Sequence, residues 1–228
     1  YAMELRIKSA RTTRDIDLAL RELPGGAKVW DDTKIRDLLQ RLASVDLKDG
    51  FEFLIGEPTM DLVAAPYGGS RFPVEAQMAG RRFASFHLDV SARDVLREPF
   101  EILEGHDWLG FAGIAKARMP AVSREEQFAE KLHAYTLPRE GRPNTRVKDL
   151  VDMLLLVDSG TLDLIRVADS IKAKFHRRAT HAVPVLPLPA PPSTWAEPFG
   201  ELAVQWGLQG NLAELDRRLD DFLAVIQR

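Results

Sequence analysis

Arg14-Asp15-Ile16-Asp17-Leu18 sets two acidic residues two apart between apolar ones. On a β-strand successive side chains alternate faces, so Ile16, Leu18 and Leu20 enter a core while Asp15 and Asp17 share the opposite face. Two carboxylates on one face suit a hard divalent cation such as Mg²⁺, which prefers carboxylate oxygens, keeps several waters and is completed by phosphate oxygens. The same alternation also describes an ordinary half-buried strand. The rest of the chain must decide between the two.

A second strand pattern repeats the first. Between Arg82 and Val90, Phe86, Leu88 and Val90 fall on one face and Ser85, His87 and Asp89 on the other. If this strand neighbours the first, Asp15, Asp17 and Asp89 meet at one end of a sheet, as two-metal phosphoryl chemistry requires. Asp61 and Asp94 are weaker rivals for the third carboxylate.

Complementary charges come later in the chain. Lys131 lies in Glu130-Lys131-Leu132-His133-Ala134, on a helix with an apolar stripe, where its plain role is a snorkelling surface lysine. Arg146-Val147-Lys148-Asp149-Leu150-Val151-Asp152 puts Asp149 and Asp152 at i, i+3 and Lys148 with Asp152 at i, i+4. A solvated helix explains these spacings; so does a site in which Lys131 and Arg146 meet triphosphate oxygens while Asp149 or Asp152 orients Lys131 and keeps it charged.

Composition narrows the classes. The 228 residues are 45% hydrophobic and 29% charged, as in an ordinary globular protein of one large or two small domains. With no cysteine there is no disulfide, Cys-ligated zinc, iron–sulfur cluster or thiol nucleophile, and cytoplasm is the default compartment. There is no apolar run of membrane-spanning length, so no membrane partner is expected. The net charge of −3 gives no bulk nucleic-acid signature. Three local basic stretches are candidates for an anion-binding groove: Arg6, Lys8, Arg11 and Arg14; Arg139, Arg142, Arg146 and Lys148; and Lys172, Lys174, Arg177 and Arg178. The histidines lack zinc-hydrolase spacing, and there is no Gly-x-Ser-x-Gly elbow, Walker lysine loop or Gly-x-Gly-x-x-Gly.

The organisation read from periodicity is α+β, a mixed sheet over residues 1–120 followed by a helical region over 121–228. Extended segments are expected at 51–55, 60–65, 73–78, 82–90 and 112–118, with turns at Pro66-Tyr67-Gly68-Gly69 and Ala79-Gly80. A helix capped by Asp32 or Thr33 carries Ile35, Leu38, Leu39 and Leu42. In the second half, Ser123 with Glu126 forms a capping box, Thr145 caps the next helix, and a third runs from Thr161 to about Phe175 with Leu164, Ala168, Ile171 and Phe175 inward. The proline-rich 183–192 is an extended connector. Thr194 with Glu197 suggests another capping box, and Leu212, Leu215, Leu219, Phe222 and Ile226 stripe a last helix.

Taken together, Arg11-Thr12-Thr13-Arg14-Asp15-Ile16-Asp17-Leu18, Phe86-His87-Leu88-Asp89-Val90, Ala129-Glu130-Lys131-Leu132-His133-Ala134-Tyr135 and the Arg146–Asp152 block resemble the AbiEii-type nucleotidyltransferases. These are toxins of bacterial toxin–antitoxin and phage-defence systems, related to the MenT toxins. The resemblance covers residues 1 to about 157, and nothing nameable follows. It implies a polymerase-β-like nucleotidyltransferase fold followed by helices, and transfer of a nucleoside monophosphate from NTP, with Mg²⁺ or Mn²⁺, to the 3′ end of tRNA as in characterised relatives. A cognate antitoxin is the implied protein partner. On this sequence it maps metal ligands onto Asp15, Asp17 and Asp89, catalytic roles onto those three with Lys131 and Asp149, and nucleotide contacts onto Thr13, Arg14, Lys131, Arg146, Lys148 and Asp152. Asp149 and Asp152 remain alternatives for the indispensable partner. Such enzymes carry a Gly-Gly or Gly-Ser motif before the aspartate strand, here expected just upstream of Tyr1. A protein hydroxyl as acceptor of AMP, or a non-catalytic nucleotide- or partner-binding member, are the competing readings.

Overall fold

The alternation at Asp15-Ile16-Asp17 folds as a strand, β1 (Asp15–Leu20), in a computed structural model that describes residues 1–7, 15–62, 65, 68–92, 97–139 and 141–227. The described residues within 12–96 and 102–119, with Tyr1, form one compact unit; those within 2–11, 97–101 and 120–228 form a second. The fold is α+β, a mixed sheet and a set of helices.

In the first unit, α2 (Asp32–Ala43) precedes β2 (Phe51–Ile55), β3 (Met60–Asp61), β4 (Gly69–Met78) and β5 (Arg81–Ala92). The sheet order is β1-β5-β4-β2, with β3 on β4. β1 runs parallel to β5, and the other pairings are antiparallel. Ala79 and Gly80, both at positive φ, make the tight reversal between β4 and β5. One face of the sheet is apolar: Phe72, Val74 and Val90 are buried with Ile55, Leu23 and the inward residues of α2, Ile35 and Leu39. Asp31, rather than Asp32 or Thr33, caps α2 by accepting from the Lys34 N–H, and Leu42 remains exposed. Alternation then sends Arg71, Asp89, Asp17 and Asp15 to the opposite face.

Several expectations for this half need correction. Of 60–65, only Met60–Asp61 is strand, and residues 63 and 64 lie outside the described set. Gly68-Gly69-Ser70 is the entry into β4 rather than a free turn. Gly68 has a φ of +97°, and a Cβ there would lie 2.5 Å from Trp30 Cβ, so only glycine lets the chain pass beneath the indole. Trp30 Nε1 donates to Asp32 Oδ1 at 2.7 Å and to Ser70 Oγ at 3.2 Å, fixing that crossing. Segment 112–118 is not a strand, because Gly113 turns left-handed after a helical turn at Gly110–Ala112. Strand begins only at β7 (Arg118–Ala121), paired with β6 (Glu101–Glu104), which the periodicity did not reveal.

The second unit opens with α1 (Ala2–Arg6) and continues with α3 (Arg124–Thr136), α4 (Val147–Asp158), α5 (Leu164–Arg178), α6 (Ala196–Trp206) and α7 (Leu212–Ile226). Residues 150–156 of α4 are buried without interruption, the mark of a helix enclosed on all sides. Around it pack Phe128 and Leu132 of α3, Val167 and Ile171 of α5, Phe199 of α6, and Leu215 and Leu219 of α7. Met3 of α1 joins this core. Leu188, inside the expected proline-rich connector, is buried too, and its N–H donates to Asp220 Oδ1 at 2.9 Å.

Capping departs from the sequence reading at several helices. Ser123 does cap α3, accepting from the Glu126 N–H, but the Glu126 carboxylate accepts from the Arg97 N–H at 3.0 Å instead of closing a box. Arg146, not Thr145, precedes α4, and its N–H is taken by Asn144 Oδ1. Asp163 caps α5, whose buried side is Val167, Ser170, Ile171, Lys174 and Phe175; Leu164 is exposed. Trp195 precedes α6 with no side-chain cap, so Thr194 and Glu197 form no box. Asn211 and Glu214 form the complete one, at α7.

Candidate active site

Asp17 and Asp89 are direct partners in the parallel β1–β5 register, as are Asp15 and His87. Side chains at paired positions share a face, so the three acidic residues stand together, as the alternation implied. Asp61 pairs with Ser70, one residue off Arg71, and therefore belongs to the other face. Asp94, Thr13 and Arg14 lie outside the described residues.

The residue that sequence reading missed is Arg71, on β4 opposite Asp89. Its Nε donates to Asp89 Oδ1 at 2.7 Å and its Nη2 to Asp89 Oδ2 at 2.6 Å, a bidentate fork. The same Nη2 lies 3.8 Å from Asp15 Oδ2, and His87 Nδ1 lies 3.3 Å from Asp15 Oδ1. The hydrogen bond to Asp89, with attraction from Asp89, Asp15 and Asp17, holds the guanidinium proton more firmly than usual. The signal for Arg71 was present: extending the strand back from 73 to 69 places it outward beside Phe72.

Asp15, Asp17 and Asp89 supply hard carboxylate oxygens on one face, a donor set that suits a hard divalent cation. As the side chains stand they gather round Arg71. Among the described residues no three acidic or histidine side chains already form a metal cage.

The helical unit holds a second cluster. Lys131 of α3 donates from Nζ to Asp152 Oδ2 at 2.5 Å and to Asp149 Oδ1 at 3.4 Å. Arg146 Nη1 approaches Asp149 Oδ2 at 3.5 Å. Asp149 and Asp152 thus serve one lysine across the α3–α4 packing, whereas Lys148, the i, i+4 neighbour of Asp152, is exposed. Lys131 is enclosed rather than snorkelling, and both aspartates orient it.

The basic stretches have different fates. Arg6 is buried, bound to Glu101 at 3.1 Å and to Gln127 and the Val122 carbonyl; Lys8, Arg11 and Arg14 lie outside the described residues. Lys174 and Arg178 each pair with Glu130 at 2.7 Å. Arg139 and Arg142 instead line a cleft of about 510 Å³ with Tyr135, Asn144, His181 and prolines of the connector. Burial, with Arg146 nearby, holds Arg139 below its ordinary pKa.

A paired-aspartate strand, a third aspartate on its parallel neighbour and a lysine held by the Lys-Asp-x-x-Asp helix are therefore all realised in the structure. A family model for the nucleotidyl transferase AbiEii toxin, type IV toxin–antitoxin system, matches residues 1–223. The chain belongs to the AbiEii family. It is a nucleotidyltransferase toxin, from a family that uses NTP and divalent metal and is paired with an antitoxin. The family match runs far past residue 157, so α5, α6 and α7 are part of what AbiEii proteins share rather than an unrelated appendage. Among solved structures the chain is similar to MenT4, a nucleotidyltransferase toxin of Mycobacterium tuberculosis H37Rv, at 18% identity and a TM-score of 0.49, covering 92% of this chain and 77% of that one. No curated protein matches. Among the described residues no helix is long and apolar enough to cross a membrane.

Proposed function

We propose that this AbiEii chain transfers a nucleoside monophosphate from NTP to the 3′ end of tRNA, using Mg²⁺ held by Asp15, Asp17 and Asp89. The carrying observation is the in-register placement of Asp17 beside Asp89, with Asp15 on the same face. Asp15, Asp17 and Asp89 would hold the ion, which when bound would supply Lewis-acid chemistry at the triphosphate. Asp89 takes the proton of the acceptor hydroxyl as its oxygen bonds to the α-phosphorus; the bond to the β-phosphate breaks and pyrophosphate leaves with the electron pair. Lys131 and Arg146 would offset charge on the nucleotide, with Asp149 and Asp152 holding the Lys131 ammonium in place. The protein positions and neutralises rather than forming a covalent bond itself. Arg139 and Arg142 in their cleft supply contacts for an RNA backbone, which makes acceptor binding salt-dependent. A cognate antitoxin restrains the reaction in the cytoplasm.

The test is incubation with each radiolabelled NTP, Mg²⁺ and total tRNA. Label at the tRNA 3′ end is expected, and Asp17→Ala abolishes it while leaving the circular dichroism spectrum unchanged. Label on protein instead would replace the acceptor, and full activity in Asp17→Ala would remove the metal assignment.

A further inference from the structure

Arg71 has no place in the mechanism above, yet it is the cation around which the carboxylate face is arranged. Its fork engages both oxygens of Asp89, and its Nη2 also faces Asp15. Two parallel N–H···O bonds occupy the inward lone pair of each Asp89 oxygen, where a chelated cation would also sit. A guanidinium and a divalent ion therefore compete for one carboxylate. The side chain of Arg71 is 26% exposed, so water can reach the fork and the long side chain can swing out without unpacking the sheet.

We infer that Arg71 is a built-in counter-cation which a divalent metal must displace from Asp89, and that the released guanidinium binds the triphosphate arriving with that metal. The inference rests on the metal reading of Asp15, Asp17 and Asp89. Without nucleotide, a metal entering the face leaves Arg71 beside a like charge and without its carboxylate, so metal alone binds weakly. With nucleotide, phosphate oxygens replace Asp89 as the anionic partner of Arg71, and that planar fork suits phosphate as well as carboxylate. Metal and nucleotide then strengthen each other's binding through this one side chain, and linkage makes the effect reciprocal. Arg71 thus acts as a positioning residue on the metal and as a direct ligand of the substrate.

The experiment measures Mn²⁺ affinity of the full chain by electron paramagnetic resonance, with and without a non-hydrolysable NTP analogue. In Arg71→Gln, Mn²⁺ alone should bind about tenfold tighter than in the wild type, while the strengthening by nucleotide falls to near nothing. Arg71→Lys, which keeps a charge but not the fork, should lie between them, and provides a second reading should the glutamine variant fold poorly by thermal melting. The KM for NTP should rise in both variants. Unchanged or weaker Mn²⁺ binding in both variants, with wild-type nucleotide coupling, would overturn the role of Arg71. Asp17→Ala separates the two levels. If it loses Mn²⁺ binding while the Arg71 variants leave affinity unchanged, only this inference fails; if it binds Mn²⁺ as the wild type does, the metal reading fails and takes this inference with it.

Discussion

Arg71 on the sheet and Lys131 among the helices each sit among aspartates, yet on different terms. Asp15, at the edge of the Arg71 cluster, is 45% exposed and Arg71 26%, with Asp89 at 14%; Lys131, 16% exposed, lies between Asp149 and Asp152, the latter 4% exposed. Strand alternation presents its polar residues on one open face, where a long side chain can leave without disturbing the apolar face behind it. The lysine cluster lies instead within the packing of α3 on α4, next to an unbroken run of buried residues. An open pair contributes little to stability and can exchange partners, while an enclosed pair is costly to break because one charge is left uncompensated. The open cluster is suited to receiving an ion, and the enclosed one to holding a cation at a fixed place.

The largest expected effect tests that contrast directly. Asp152→Ala leaves Lys131 with Asp149 alone and should lower stability by about 3 kcal/mol, whereas Asp89→Ala, after which Arg71 can turn to Asp15 and water, should cost less, about 1–2 kcal/mol. Urea unfolding of the two variants beside the wild type measures the difference. Equal losses would break the distinction between open and enclosed clusters.

How far the sequence discloses this arrangement depends on how local each determinant is. Asp15, Asp17 and Asp89 were legible because alternation at β1 and β5 is written in consecutive residues, although their adjacency needed the parallel register. Arg71 was not, since Gly68-Gly69 looks like a turn until the indole of Trp30 is seen to require glycine beneath it. Lys131 was legible as a charged residue on a helix with an apolar stripe, but its pairing with Asp149 and Asp152 depends on α4 docking alongside, which no local pattern states. The missing box at α3 has a non-local cause. Glu126 has the spacing of a box partner, but its carboxylate serves a backbone N–H that lies 29 residues away in sequence. Lys174 on the inner side of α5 breaks an apolar stripe because Glu130 of α3 is there to meet it.

Acid gives a smaller, pH-dependent separation of the two regions. His133 in α3 is buried, shares a hydrogen bond with Thr180 Oγ1 at 2.9 Å, and has its pKa pushed down to about 4 by burial and by Arg178, His181 and Lys174, against an opposing pull from Glu130. The unfolded chain takes up this proton near the ordinary value of 6.5 and the folded one only near 4, so the stability is complete above about pH 6.5 and is lost as pH falls toward 4. The loss should approach about 2 kcal/mol, with His181, also held low by burial, adding in the same direction. His133→Gln should flatten this part of the stability–pH curve, measured by urea unfolding at intervals from pH 7.5 to 4.5. An unchanged slope would place the acid sensitivity elsewhere, the carboxylate face included.

The smallest effect carries the opposite sign and sharpens what an enclosed carboxylate needs. Asp216 of α7 shares the helical unit with Asp152 but has no lysine: its Oδ1 is buried without a hydrogen-bond donor among the described residues. Burial, then repulsion from Asp220, pushes its pKa up to about 6. Here the folded value lies above the unfolded one, so the carboxylate destabilises the fold above about pH 6, and the penalty fades as pH falls toward 3.8. Asp216→Asn removes the charge while keeping the shape and should stabilise the protein by about 1 kcal/mol at pH 7.5. The gain should shrink to nothing near pH 4. In thermal melts at the two pH values, a stabilisation that persists in acid would show that the asparagine amide had found a new partner, and that the missing cation was not what distinguished Asp216 from Asp152.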